Sequence, residues 1–362
     1  MSSSSPARTS PARTPRALAL AAAALLGGGV LTACGTDGDA GAGDDGPTVV
    51  ASTTVYADIA EQVAGGNASV ESVISDPAAD PHSYEASPAD AAAVAGADLV
   101  VYNGAGYDAF VDMALDNAGD VPVVRGVDEF ERVTGASVDG HDHGQEDHAE
   151  EDHAEGDAAE GSGAEGSGAE DDHTDHAHEA AGNEHVWFSL PTAAAVAERV
   201  AEELAAIDPG NAGQYRDNAR AFADALTPLE AQLDEIHDRG HFPYAQTERV
   251  GAHLFEAAHL TDLTPRGFLA SVEDDTDPSA ADLAAMLDLL AERRVAFLAF
   301  NTQTETSVTA RVRDAAEDAD LVVVDLTETL PEGADYIGWM TGIVDGVSGA
   351  LADATPVGDG GH

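Results

Sequence analysis

Two histidines and two glutamates stand where metal chemistry is possible. His82 lies in Asp-Pro-His-Ser-Tyr-Glu (80–85), a few residues after an expected strand at 70–74. His185 lies in Asn-Glu-His-Val-Trp (183–187), just before ordered structure is expected to resume. Glu248 follows a weak strand at 241–247, and Glu328 follows a strand at 321–326. Open α/β sheets bind ligands outside the carboxyl ends of their strands, so side chains just past strands are the ones to inspect. Imidazole nitrogen and carboxylate oxygen are donors suited to a divalent cation. Each residue has a plainer reading beside this one: a lone histidine is often structural, and a glutamate in an acidic chain is often only solvated. His237, His259 and His362 read as structural or incidental.

A second group of donors is of another kind. His141, His143, His148, His153, His173, His176 and His178 are scattered through residues 137–182 among Asp, Glu, Gly and Ser. This stretch has too little apolar content to offset the entropy of ordering, so a disordered surface loop is expected. It reads either as a weak zinc-gathering antenna or as a plain low-complexity insertion.

The elements that must position the four residues follow an α/β rhythm. Strands are expected at 48–52, 70–74, 99–103 and 121–124, with a helix from about Tyr56 and another opened by Ser87-Pro88, a capping residue followed by a proline suited to the first turn. Helices are expected over 191–206 and 211–238. The second is long enough to bridge two lobes and carries Pro228, where a kink is possible. The rhythm then repeats, with strands at 241–247, 295–300 and 321–326 and helices at 277–293, 307–317 and 336–351. Pro243 makes the strand at 241–247 short or an edge. Alternating strands and helices predict an α/β fold of two parallel lobes, the second mirroring the first.

The whole chain of 362 residues suits two lobes of roughly 120 to 150 residues each plus extras. Its 68 acidic against 15 basic residues give a formal charge of −53, and all the basic residues are arginine. Such a surface repels phosphate backbones and anionic headgroups, which argues against nucleic-acid binding and concentrates cations. A salt-rich habitat is an alternative reason for the same surface. Arg8, Arg13 and Arg16, an apolar run at 17–31 and Leu-Thr-Ala-Cys ending at Cys34 read as a lipoprotein export signal. Cys34 is the chain's single cysteine, so lipidation of its thiol is expected in place of a disulfide. The expected order is a signal peptide at 1–33, a flexible tether at 34–46, and a lobe at 47–190 carrying the insertion 137–182. A helical region at 191–240 and a lobe at 241–362 complete it.

Four motifs then make a family resemblance specific. They are Ala-Ser-Thr-Thr-Val-Tyr-Ala-Asp-Ile-Ala-Glu (51–61), Asp-Pro-His-Ser-Tyr-Glu-Ala-Ser-Pro-Ala-Asp (80–90), and Ala-Asp-Leu-Val-Val-Tyr-Asn-Gly-Ala-Gly (97–106) followed by His-Val-Trp (185–187). In this order they resemble the solute-binding lipoproteins of zinc/manganese ABC transporters. The resemblance implies two parallel α/β lobes joined by one long rigid helix, with a single metal clamped between them by His82, His185, Glu248 and Glu328. At the third position, Thr-Glu-Arg-Val (247–250) departs from the usual turn, which leaves His253 and His241 as fallback ligands. At the fourth, a glutamate stands where aspartate is usual.

Two neutral imidazoles and two carboxylates neutralise a dication and close a four-coordinate shell, whereas an enzyme keeps a position open for water. A carrier and not an enzyme is therefore expected. It would be monomeric, extracytoplasmic and anchored to the cell membrane through lipid on Cys34, and it would deliver Zn2+, alternatively Mn2+, to an ABC permease. The carboxylates lean towards manganese, and the histidine-rich loop towards zinc. The rival readings are an extracellular zinc-buffering or adhesin lipoprotein, in which the loop alone functions, and a zinc hydrolase. No His-Glu-x-x-His supports the hydrolase.

Overall fold

Four short parallel strands, repeated once, give the architecture. In the first half β1 (Thr48–Thr53), β2 (Ser69–Ile74), β3 (Leu99–Tyr102) and β4 (Val123–Arg125) lie in the order β2-β1-β3-β4. In the second half β5 (Pro243–Gln246), β6 (Thr261–Asp262), β7 (Phe297–Asn301) and β8 (Val322–Leu326) lie in the order β6-β5-β7-β8, the same permutation. Every pairing is parallel, for example Val50 beside Val100 and Ala299 beside Val324. β3 and β7 are buried along their whole length, as helices on both sheet faces require. These are the coordinates of a computed structural model, which describes residues 46–77, 79–138 and 182–356. Cys34, the expected signal and tether up to residue 45, the seven loop histidines and His362 lie outside the described residues.

The helices of the first half are α1 (Thr54–Ala64), α2 (Pro88–Gly96), α3 (Ala109–Leu115) and α4 (Gly126–Thr134). α2 begins as expected, with Ser87 accepting from Asp90 N–H and the Asp90 carboxylate accepting from Ser87 N–H. Helix α5 (Leu190–Ile207) and helix α6 (Ala212–Asp238) follow. α6 buries Tyr215, Ala219, Phe222, Leu226, Leu229, Leu233 and Ile236, alternating steps of four and three that make one apolar stripe. It continues through Pro228 because Pro228 and Asp224, whose carbonyl loses its donor there, both lie on the exposed face. Near one end, Asn218 Nδ2 donates to Val63 O at 2.9 Å. Further along, Gln232 Nε2 donates to Asp345 Oδ1 at 2.9 Å, so this helix is tied to both halves.

The second half adds α7 (Ala252–Ala257), α8 (Arg266–Glu273), α9 (Ala280–Ala291), α10 (Ser307–Asp318) and α11 (Tyr336–Ala350). One expectation is met through one of its two alternatives, and one needs correction. β5 is short but not an edge: it lies between β6 and β7, and Pro243 is its first residue. The Pro243 carbonyl accepts from Ala296 N–H at 2.7 Å, so no donor is missed. The insertion also begins later than residue 137, because Val138 is buried against Val127, Phe130 and Val186. One core runs through both halves, with Tyr336 Oη donating to Trp187 O at 2.6 Å inside it.

Candidate metal centre

Strand order sets out the acidic side of the site. Glu248 follows β5, Asn301 ends β7 and Glu328 follows β8, and β7 lies between the other two strands. The Asn301 amide therefore stands between the carboxylates and donates to both, to Glu248 Oε2 at 2.7 Å and to Glu328 Oε1 at 2.8 Å. Glu328 is only 1% exposed. Its backbone N–H is held by Gln303 Oε1. Glu248 Oε1 accepts from the Thr304 hydroxyl.

The first half brings the imidazoles. His82 sits on the loop after β2, its backbone N–H donating to Asp80 Oδ1 at 2.9 Å and its ring edge-on to Tyr107 at 4.9 Å. Tyr107 reaches that place because the chain turns at Gly104, with φ +88°. A side chain there would strike Val127 Cγ2 at 2.8 Å, so glycine is required for packing as well as for conformation. His185, 5% exposed, packs edge-on against Tyr107 and Trp187. Asn183 Oδ1 accepts from His185 Nδ1 at 2.8 Å. An amide oxygen only accepts, so Nδ1 carries the proton and Nε2 keeps its lone pair.

His82, His185 and Glu328 offer one donor atom each, all within 4.8 Å of one another. Glu328 Oε2 is 3.5 Å from His82 Nε2 and 3.7 Å from His185 Nε2. Donors sharing one tetrahedral zinc at bond lengths near 2.1 Å stand about 3.4 Å apart, so these spacings suit a shared ion. His185 Nε2 and Glu328 Oε2 are both buried with no hydrogen-bond partner. Leaving such atoms unsatisfied costs about 1–3 kcal/mol each, which a bound cation would relieve.

Glu248 is not in that triad, its carboxylate being engaged by Asn301 and Thr304. Neither fallback histidine is in it. His253 Nε2 donates to Asn183 O at 3.0 Å and its ring lies on Phe130, while His241 Nδ1 is 3.2 Å from His259 O. Sequence reasoning missed Asn103, Tyr107, Asn183, Glu184, Asn301 and Gln303. Asn301 had a usable signal, since it closes a strand as the candidate glutamates do. Glu184, whose Oε1 is 3.8 Å from His82 Nε2, had only its place beside His185.

The electrostatics divide the two glutamates. Burial alone would raise Glu328, but its contact with His185 and the nearby His82 outweigh burial and hold it below the ordinary carboxylate value. Burial likewise works against a charged His185, yet Glu328 above all raises it. Glu248 is pushed up to about 7, chiefly by burial and despite its bonds to Thr304 and Asn301.

Comparisons with known proteins bear on the family and the fold. The family described as "Zinc-uptake complex component A periplasmic" (ZnuA) matches residues 49–350. The manganese-binding lipoprotein MntA of Bacillus subtilis (strain 168) is 26% identical over 315 residues, covering 84% of this chain and 87% of MntA. The zinc-binding lipoprotein AdcA of Streptococcus pneumoniae (strain ATCC BAA-255 / R6) is 25% identical over 299 residues, covering 80% of this chain but only 53% of AdcA. Among solved structures, the periplasmic zinc-binding protein TroA of Treponema pallidum superposes with a TM-score of 0.61 at 18% identity, covering 85% of this chain and 99% of TroA.

Proposed function

This chain belongs to the family of periplasmic zinc-uptake complex component A, a metal-binding substrate receptor of an ABC transporter, and from that membership we propose that its cargo is zinc. His82, His185 and Glu328 form the primary grip, and Glu248 joins once its proton leaves. The observation that carries this reading is the pair of buried, unpartnered atoms, His185 Nε2 and Glu328 Oε2, facing one another beside His82. Imidazole donors and a compact triad favour zinc, and the Irving–Williams order makes any such site bind zinc more tightly than manganese. Because the donors come from both halves, neither half alone holds the ion. Protons compete for every donor, so binding weakens as pH falls.

Residues 1–33 are read as the removed signal and 34–46 as a tether from lipid on Cys34. Among the described residues no helix is long and apolar enough to cross a membrane. Anchored in this way, the monomeric receptor would hand its ion to the permease. A manganese cargo is the second reading, favoured by the oxygen donor at Glu248 and by the likeness to MntA.

The test is competitive titration of mature protein lacking residues 139–181, a cut that spares the buried Val138. One tight zinc equivalent, with manganese displaced by stoichiometric zinc, is expected. Loss of all tight binding with the loop would instead identify a buffering lipoprotein.

A further inference from the structure

Asn183 joins four hydrogen bonds that link His185 to the second half. It is 1% exposed and sits where the chain re-enters the described structure, two residues before His185. Its Oδ1 accepts from His185 Nδ1 at 2.8 Å and from His185 N–H at 3.2 Å. Its Nδ2 donates to Arg249 O at 3.0 Å, in the turn that carries Glu248. Its own carbonyl accepts from His253 Nε2 at 3.0 Å. The next residue faces the other way: Glu184 O accepts from Asn103 Nδ2 at 2.8 Å, in the first half.

We infer that Asn183 is a positioning residue that ties the ligand state of His185 to the apposition of the two halves. This rests on the reading of His185 as a zinc ligand. One amide serves two purposes together. Its oxygen keeps the His185 proton on Nδ1, so that the Nε2 lone pair faces Glu328. Its NH2 holds the Arg249 carbonyl and hence the Glu248 turn of the second half. If the halves part at this seam, the Arg249 bond breaks, and the amide becomes free to rotate and release the imidazole from its fixed tautomer. Opening would thus degrade a ligand as well as separate the ligands, which favours release at the permease. A carboxylate at 183 would keep the first purpose and lose the second, because it accepts from Nδ1–H but has no donor for Arg249 O.

The experiment compares mature wild type, Asn183→Ala and Asn183→Asp by zinc competition and zinc release rate, with 15N spectra of the histidine rings in the metal-free state, taken at a pH alkaline enough for the spectra themselves to show singly protonated rings. The wild-type His185 ring is expected to be protonated on Nδ1; a ring protonated on Nε2 would overturn the inference whether or not either variant folds. Asn183→Ala should weaken zinc binding by roughly 10- to 100-fold, the usual cost of removing a group that orients a ligand, and a change of less than about twofold would overturn it. Asn183→Asp should restore the Nδ1–H tautomer and most of the affinity while releasing zinc faster than wild type. Affinity as low as that of Asn183→Ala, or a release rate unchanged from wild type, would overturn the coupling. If wild type bound no zinc at all, the cargo reading would fall, and the ring spectrum would still report on the tautomer.

Discussion

The end of β8 and the end of β5 present the same side chain to the same amide, yet the two glutamates behave as opposites. Glu328, the more deeply buried, is held below the ordinary carboxylate value because His185 and His82 face it. Glu248 is hydrogen-bonded by the neutral donors Asn301 and Thr304 and is raised to about 7, chiefly by its burial and further by the Glu328 carboxylate. The difference teaches that burial alone does not set charge here; the sign of what lies opposite does. The first half supplies the imidazoles, so the carboxylate that reaches across to them is the charged one.

The strongest way to break this contrast is Glu328→Gln. It keeps the shape and the bond from Asn301 but removes the charge between two imidazoles. Zinc affinity is expected to fall by more than about 100-fold, beyond the roughly 10- to 100-fold cost of disturbing a group that only orients a ligand. A fall of a few-fold, measured by competition, would dismiss Glu328 as the centre of the site. The same variant should flatten the acid limb of metal-free stability. A depressed carboxylate contributes stability above its ordinary value of 4.5, and that contribution is lost as pH falls through the lowered one.

Glu248→Gln sharpens the comparison with a smaller effect of mixed sign. A carboxylate raised in the fold favours the folded state below 4.5 and loses that contribution as pH rises to about 7. The neutral glutamine should therefore raise the melting temperature of metal-free protein above pH 7 and leave it unchanged below pH 4.5. Zinc affinity should drop at the same time, by about 10-fold, since a donor is lost. A variant that melts lower than wild type in alkaline solution would contradict the assignment.

The smallest effect is expected from Gln303→Ala. Gln303 Nε2 reaches Pro77 O at 2.8 Å, Ala79 O at 3.2 Å and Thr329 Oγ1 at 2.9 Å, clasping the His82 loop to the second half. Losing these bonds together with the one by which Gln303 Oε1 holds the Glu328 N–H should cost about 1–3 kcal/mol, seen as zinc release a few times faster and a modestly lower melting temperature.

Runs such as residues 99–102 and 297–301 declared themselves as buried parallel strands because continuous apolar sequence suits a sheet covered on both faces. β6, two residues long, carries no period to detect, and α3 and α7 are too short for one. Pro243 goes with a short strand and not with an edge one, for a definite reason. Its missing N–H bars it from strand interiors, but here it opens the strand and is used through its carbonyl.

The sequence by itself determined which donors exist, that they fall just past strands, and that two similar halves alternate strand with helix. Such properties are local, set by residue type and by spacing within one element. Only the tertiary structure decided that His82, His185 and Glu328 converge while Glu248 turns to Thr304, that His253 and His241 are spent elsewhere, and that Asn183 fixes the tautomer of His185. Apart from the short-range pairs Asn183–His185 and His241–His259, those outcomes depend on contacts between residues more than 50 positions apart, such as Asn301 with Glu248 and Asn183 with Arg249. Strand order brings such partners together, and no local pattern encodes it.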